Sequence, residues 1–218
     1  MAEHFVLIAT EKIVKEINNM QILPNSDISK IKYIAIHHSG GTITNPFAYT
    51  QNETAQDINN AHKLRWPDFP SKLNGSYIGY NFVIDKQGII TQARYILEET
   101  AANIEHNLDT VSICLTGNFS PGVEMPTEPQ ISALKILLKQ CLGATNVSWL
   151  NIVPHRALWA TQCHGLALPD DWARNLVKNE PEAKASILKQ LISIYSKYLQ
   201  LLRVTKLGSV LEDGHNRG

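Results

Sequence analysis

Apolar positions along this chain alternate between short continuous runs and stripes that recur at helical spacing. The run Tyr33–Ile36 is short, apolar and partly β-branched, which predicts a buried strand, and it ends in His37-His38-Ser39-Gly40-Gly41. From Asn52 to Leu64 the spacing of Ala55, Ile58 and Ala61 predicts a modest helix, broken by the proline-containing segment Trp66–Pro70. Gly79–Ile84 and Ile89–Ala93 read as two strands, and Asp85-Lys86-Gln87-Gly88 between them is a hairpin signal. Val111–Thr116 reads as a further strand that ends at Gly117-Asn118. Thr127 followed by Gln130 is a capping-box pattern, after which Ile131, Leu134, Leu138 and Cys141 form a stripe and Gly143 supplies a stop. Trp149–Val153 is a short extended run that delivers Pro154-His155 into the loop carrying Cys163.

Both ends are less regular. Glu3–Met20 is patchily helical and is broken by Pro24, Asn25 and Ser26, whereas Glu180 to Leu202 carries a long helical pattern that includes Ile187, Leu191, Tyr195 and Leu199. Strands and helices interleave, so an α/β layered domain around a central sheet is the expected architecture. The organisation read from the pattern is an N-terminal extension over 1–29, a catalytic domain over 30–178 and a C-terminal helical extension over 179–218.

Composition narrows the partners. With 44% apolar residues in 218, the chain is long enough to bury a sizeable core. Twenty basic and twenty acidic side chains cancel, so no global field attracts nucleic acid or anionic lipid. No stretch approaches the roughly 18 to 20 uncharged apolar residues of a membrane span, so no stable membrane insertion is expected. Glu3, Glu11, Lys12, Lys15 and Glu16 interrupt Met1–Asn19, which argues against a signal peptide and for synthesis in the cytoplasm. Three cysteines at wide spacing do not form a disulfide framework. Cys114 and Cys141 fall on apolar runs and read as small buried hydrophobes; Cys163, in a polar loop containing histidine, does not.

Hydrolytic zinc needs three nitrogen or sulfur donors from protein and an open fourth position. His37, His155 and Cys163 supply such a set. Two pairs stay open on residue chemistry alone, because His38 adjoins His37 and His164 adjoins Cys163. Neighbours on a strand point to opposite faces, so both histidines of the first pair enter one pocket only if the strand has ended.

Four segments in order carry a family resemblance: Ile36-His37-His38-Ser39, Ile78 to Asp85, Val111 to Phe119, and His155-Arg156 to Cys163. Together, over roughly Lys30 to Asp171, they resemble the N-acetylmuramoyl-L-alanine amidases of the phage-lysozyme and peptidoglycan-recognition-protein family. The resemblance implies a central mixed sheet flanked by helices, one zinc ion, and hydrolysis of the amide between N-acetylmuramic acid and L-alanine in peptidoglycan. It further implies that His37, His155 and Cys163 are the metal ligands and His38 a pocket-wall residue. Tyr80 matches the tyrosine beside the metal, a hydrogen-bond donor to the developing oxyanion, and Thr161 a position that orients water or substrate. Trp66, Tyr77 and Asn81 flank the matched segments as sugar-stacking or peptide-bonding residues, and Arg94 is placed to pair with a stem-peptide carboxylate.

Two departures stand out. Ala102 occupies a position that is often histidine in relatives, and Thr116 one that is glutamate in cytoplasmic muropeptide amidases, which leaves the general base unassigned. Beside a lytic enzyme of the phage or prophage kind, the resemblance admits a cytoplasmic anhydromuropeptide amidase of wall recycling and a non-catalytic peptidoglycan-binding module.

Overall fold

In the computed structural model the described residues are 20–40 and 53–178. The helical patterns expected at Glu3–Met20 and Glu180–Leu202 lie outside them, Met20 excepted. The chain divides into two units, Met1–Val177 and Lys178–Gly218, and every element named below belongs to the first.

Five strands form one mixed sheet in the order β3-β2-β4-β1-β5. β1 (Tyr33–His38) lies between β4 (Thr110–Leu115) and β5 (Ile152–Pro154), parallel to both. β2 (Phe82–Ile84) runs parallel to β4 and antiparallel to β3 (Ile90–Gln92). The continuous apolar runs at β1 and β4 follow from this, since parallel strands are covered on both faces.

Side-chain alternation divides the interior. Ile34 and Ile36 of β1, Val111, Ile113 and Leu115 of β4, and Phe82 and Ile84 of β2 share a core with helix α2 (Glu128–Thr145) through Ala133, Leu134, Leu137, Leu138 and Cys141. On the other face Val83, Cys114 and Ala93 pack with Ile58 of helix α1 (Ala55–Arg65), Ile78 and Tyr80. A one-turn helix, α3 (Trp172–Asn175), follows β5. Cys114 and Cys141 are buried free thiols, as expected of small hydrophobes.

Local chemistry sets the element ends. The Thr127–Gln130 capping box forms, and Gln130 Nε2 also donates to Thr116 O at 2.8 Å and Ile84 O at 3.2 Å, tying the start of α2 to two strand ends. A second capping box, Thr54 with Asp57, starts α1. In the hairpin, Asp85 Oδ1 accepts from the amides of Gln87 and Ile89. Gly88 sits at φ +81°, and a Cβ there would lie 2.7 Å from the Pro129 carbonyl oxygen, so the turn requires glycine.

Three expectations need correction. The strand anticipated from Gly79 is confined to Phe82–Ile84, because Asn81 takes over part of the ladder: its Oδ1 accepts from the Ser112 amide and its Nδ2 donates to Tyr95 O. Trp149–Asn151 is a 3-10 turn capped by Ser148, and only Ile152–Pro154 is extended. Gly143 does not end α2, which continues to Thr145 and stops at Asn146 in the left-handed region, φ 57°. Gly143 is therefore an exposed helix-interior glycine whose Cβ position is open space. Gly143→Ala is expected to stabilise the fold by about 0.5–1 kcal/mol, seen as a rise of a few degrees in Tm by calorimetry.

Among the described residues, no helix is long and apolar enough to cross a membrane.

Candidate metal centre and cleft

The carboxyl ends of parallel strands are where α/β sheets present ligand-binding groups, and β1 and β5 end side by side. β1 continues through His38, so His37 and His38 point to opposite faces. His37, in register with Cys114, takes the α1 face; its ring centroid lies 5.1 Å from that of Tyr80 and 4.5 Å from that of His155. His155 follows immediately after Pro154, the last residue of β5.

Cys163 arrives from the loop after β5, which Arg156 staples shut. The Arg156 amide donates to Cys163 O at 2.8 Å, and its guanidinium donates to Asp170 Oδ1, Gly165 O and Leu168 O. Gly165, at φ +96°, lets the loop pass against Phe119, where a Cβ would fall 2.4 Å from the carbonyl oxygen. Thr161 Oγ1 accepts from the Cys163 amide at 3.3 Å, and the His38 amide donates to Cys163 Sγ at 3.4 Å. The thiol thus rests 3.8 Å from His37 Nδ1.

His37, His155 and Cys163 each direct one donor atom into a common space, all within 4.8 Å of one another. Nε2 of His37 and Nε2 of His155 are buried and unpartnered, an unusual state for an imidazole. Burial first, then the neighbouring His155, holds His37 well below the usual imidazole range, and burial also lowers His155, so both present neutral nitrogens. Burial pushes the Cys163 thiol up to about 12. Two neutral imidazoles and one thiol around a shared space fit a zinc ion well, since zinc favours nitrogen and sulfur donors at few positions.

These donors line a cleft of about 860 Å³. Tyr80, Thr161 and Trp66 line it too. Burial, followed by Cys114 and Cys163, raises the Tyr80 phenol well above its ordinary range, so it remains a proton donor at neutral pH. Trp66 stands edge-on to His62, with centroids 4.8 Å apart. His38 reaches the centre through its backbone, while its Nδ1 accepts from the Phe119 amide at 3.2 Å on the far face. His164 is also turned away, with Nδ1 3.3 Å from Arg156 and its ring packed near Trp172.

Two residues expected to meet substrate brace the fold instead. Asn81 is fully buried with its amide committed to Ser112 and Tyr95. Arg94 is 1% exposed and bound to Glu98 and three backbone carbonyls, so no peptide carboxylate reaches it. Tyr77 is outside the cleft, under Lys63. Conversely, Glu53, His62, Arg65, Ile104 and Trp159 line the cleft although no sequence motif marks them. Trp159 was within reach of a sequence argument, since it falls between His155 and Cys163.

The N-acetylmuramoyl-L-alanine amidase family model matches residues 27–166. The chain belongs to that family. Peptidoglycan-recognition proteins SC1a and SC1b of Drosophila melanogaster are each 30% identical to it over 138 residues, 62% of this chain and 68% of theirs. Among solved structures, the endolysin amidase LysCS from Clostridium intestinale URNW is 23% identical, with a TM-score of 0.54 over 74% of this chain and 91% of that one. The ectodomain complex of peptidoglycan recognition proteins LCa and LCx with bound tracheal cytotoxin is 20% identical, with a TM-score of 0.51 over 74% and 89%. The mixed sheet and its flanking helices are the fold of this amidase and recognition-protein family. The family members split between hydrolysis and recognition in their very names, so the donor set of this particular chain matters. Of its two departures, Ala102 lines the cleft, whereas Thr116 is buried off it with its hydroxyl unpartnered.

Proposed function

We propose that the protein is a zinc-dependent amidase that hydrolyses the bond between the lactyl carbonyl of N-acetylmuramic acid and the first alanine of the peptidoglycan stem. The observation that carries this reading is the complete three-donor group of His37, His155 and Cys163 on the wall of the cleft. A module that only binds has no need of two imidazoles and a thiol converging on one space. His37, His155 and Cys163 would hold the ion. When bound, zinc supplies Lewis acidity and a water acidic enough to act as nucleophile near neutrality.

The chain's own residues supply the rest. Tyr80, protonated throughout the neutral range, donates a hydrogen bond to the oxygen of the amide carbonyl as negative charge grows on it. Trp66 and Trp159 line the cleft as aromatic contacts for the glycan, with the Arg65 guanidinium already 4.6 Å over the Trp66 ring. Thr161 fixes the Cys163 amide and so the aim of the thiol. As a lytic enzyme of the phage or prophage kind, the protein acts on polymeric wall.

The test is amine release from purified sacculi beside release from a soluble anhydromuropeptide. Chelator-stripped protein is expected to lose activity on both, and stoichiometric zinc to restore it. Faster turnover of sacculi supports the lytic role; cleavage of the soluble substrate alone points to recycling. Undiminished cleavage by protein that elemental analysis shows to be metal-free sinks the zinc reading.

A further inference from the structure

The cleft needs a group that accepts a proton from water, and most of its titratable side chains are already committed. His37, His155 and Cys163 form the donor set. Nδ1 of His38 is taken by the Phe119 amide. His62 Nδ1 accepts from the Gly79 amide at 3.0 Å, and burial and then Arg65 lower its pKa to about 4, which makes it a poor base. β4 brings no acid here, since it runs on into Thr116, whose hydroxyl is buried away from the cleft.

Glu53 is the one carboxylate lining the cleft among the described residues. It stands just before Thr54, the N-cap of α1, and its Oε2 accepts a hydrogen bond from the Ser39 hydroxyl. Ser39 is itself fixed to the end of β4: its amide donates to Leu115 O at 3.1 Å, and its Oγ accepts from the Gly117 amide at 3.0 Å. The carboxylate is thereby moored where β1 and β4 end, against a serine two residues beyond His37, although it comes from another element. It is outside the group whose donors lie within 4.8 Å of one another, so it stands beside the metal centre as a separate feature. Its charge is felt on the cleft face, where it raises the pKa of both Tyr80 and Cys114.

We propose that Glu53 is the general base of the amide hydrolysis, an assignment that rests on the amidase reading. The Glu53 carboxylate takes a proton from the water whose oxygen bonds to the lactyl carbonyl carbon. When the carbon–nitrogen bond breaks, the carboxyl gives that proton to the departing alanine nitrogen, and the carboxylate is regenerated with one water consumed. Its surroundings suit the task. Partial burial raises its pKa, and Asp57 adds to the rise, while the Ser39 hydrogen bond and the charge of Lys86 moderate it.

Glu53→Gln, Glu53→Asp and Glu53→Ala in the full, zinc-loaded chain test the assignment. Glu53→Gln is expected to keep one zinc per chain and the parental Kd for a soluble muropeptide, while kcat falls about 10²–10³-fold and KM changes little. The acidic limb of its kcat/KM profile should flatten, Glu53→Asp should retain more activity than Glu53→Gln, and formate should restore part of the Glu53→Ala rate. Independently of turnover, parent-minus-variant infrared spectra of the metal-free proteins should show a carboxyl titrating above the ordinary glutamate range. A Glu53→Gln kcat within threefold of the parent overturns the assignment, and so does loss of zinc from that variant. If the parent holds zinc but cleaves no muropeptide, the amidase reading falls and the base with it. If parent and variant cleave alike, the base alone falls.

Discussion

On the zinc-amidase reading proposed above, Cys163→Ser is expected to bind no zinc and to cleave the amide roughly 10³-fold or more slowly than the parent. The donor atom decides both effects. A thiolate is soft and anionic, whereas a serine hydroxyl stays neutral and holds zinc weakly, so the substitution removes both a ligand and a negative charge. Lewis-acid stabilisation of the developing charge contributes several kcal/mol, and each 1.36 kcal/mol is a factor of ten in rate. Folding should survive, because the loop around residue 163 is held by Arg156 through Gly165, Leu168 and Asp170 rather than by the thiol. Cys141→Ser is the informative control. That thiol is fully buried among the leucines of α2, far in character from the polar loop, so its loss should lower Tm and leave zinc content and rate near parental values. Elemental analysis, circular dichroism and amine release from sacculi read the three quantities separately. A Cys163→Ser protein that releases stem peptide at the parental rate would be incompatible with the proposed centre.

How much of the fold and site is legible in the sequence differs residue by residue. The strands β1, β4 and the helix α2 announce themselves because burial on both faces, or along one stripe, leaves a periodic trace. The choice between His37 and His38 is not periodic in that sense. It depends on where β1 ends, and only the pairing of His38 with Leu115 shows that the strand continues and sends the two rings to opposite faces. Cys163 and His164 are separable only by the path of a loop that Arg156 holds from a distance. Glu53 leaves no trace at all, because a carboxylate just ahead of a helix cap reads as an ordinary helix start, and nothing in the pattern pairs it with Ser39, 14 residues earlier. Gly143 misleads for the opposite reason, a strong local stop signal overridden by Asn146 in the left-handed region three positions later.

Arg94 shows the same limit at greater energetic cost, and Arg94→Met is expected to destabilise the protein by about 3–5 kcal/mol. An arginine at a strand end reads as solvated, yet here its guanidinium is interior. Nε donates to Ile78 O at 2.7 Å, the terminal nitrogens donate to Glu98 Oε1, Glu99 O and Phe69 O, and the group stacks over the Phe69 ring at 4.1 Å. Glu98, equally buried, also accepts from the amides of Lys72 and Tyr95 and from Ser71 Oγ. Methionine fills similar volume but leaves the Glu98 carboxylate without its counter-charge and three carbonyls without a donor, which is the costly way to break a buried pair. Arg94→Met combined with Glu98→Gln should recover part of the loss, because the second change removes the stranded charge. Urea titration of the two variants measures both effects, and equal stability of the single and double variants would refute the charge argument. The network also bears on chemistry, since the Ile78 carbonyl it grips lies two residues before Tyr80. On the zinc-amidase reading proposed above, residual folded Arg94→Met should still bind zinc through His37, His155 and Cys163, yet turn over more slowly as Tyr80 loses its aim.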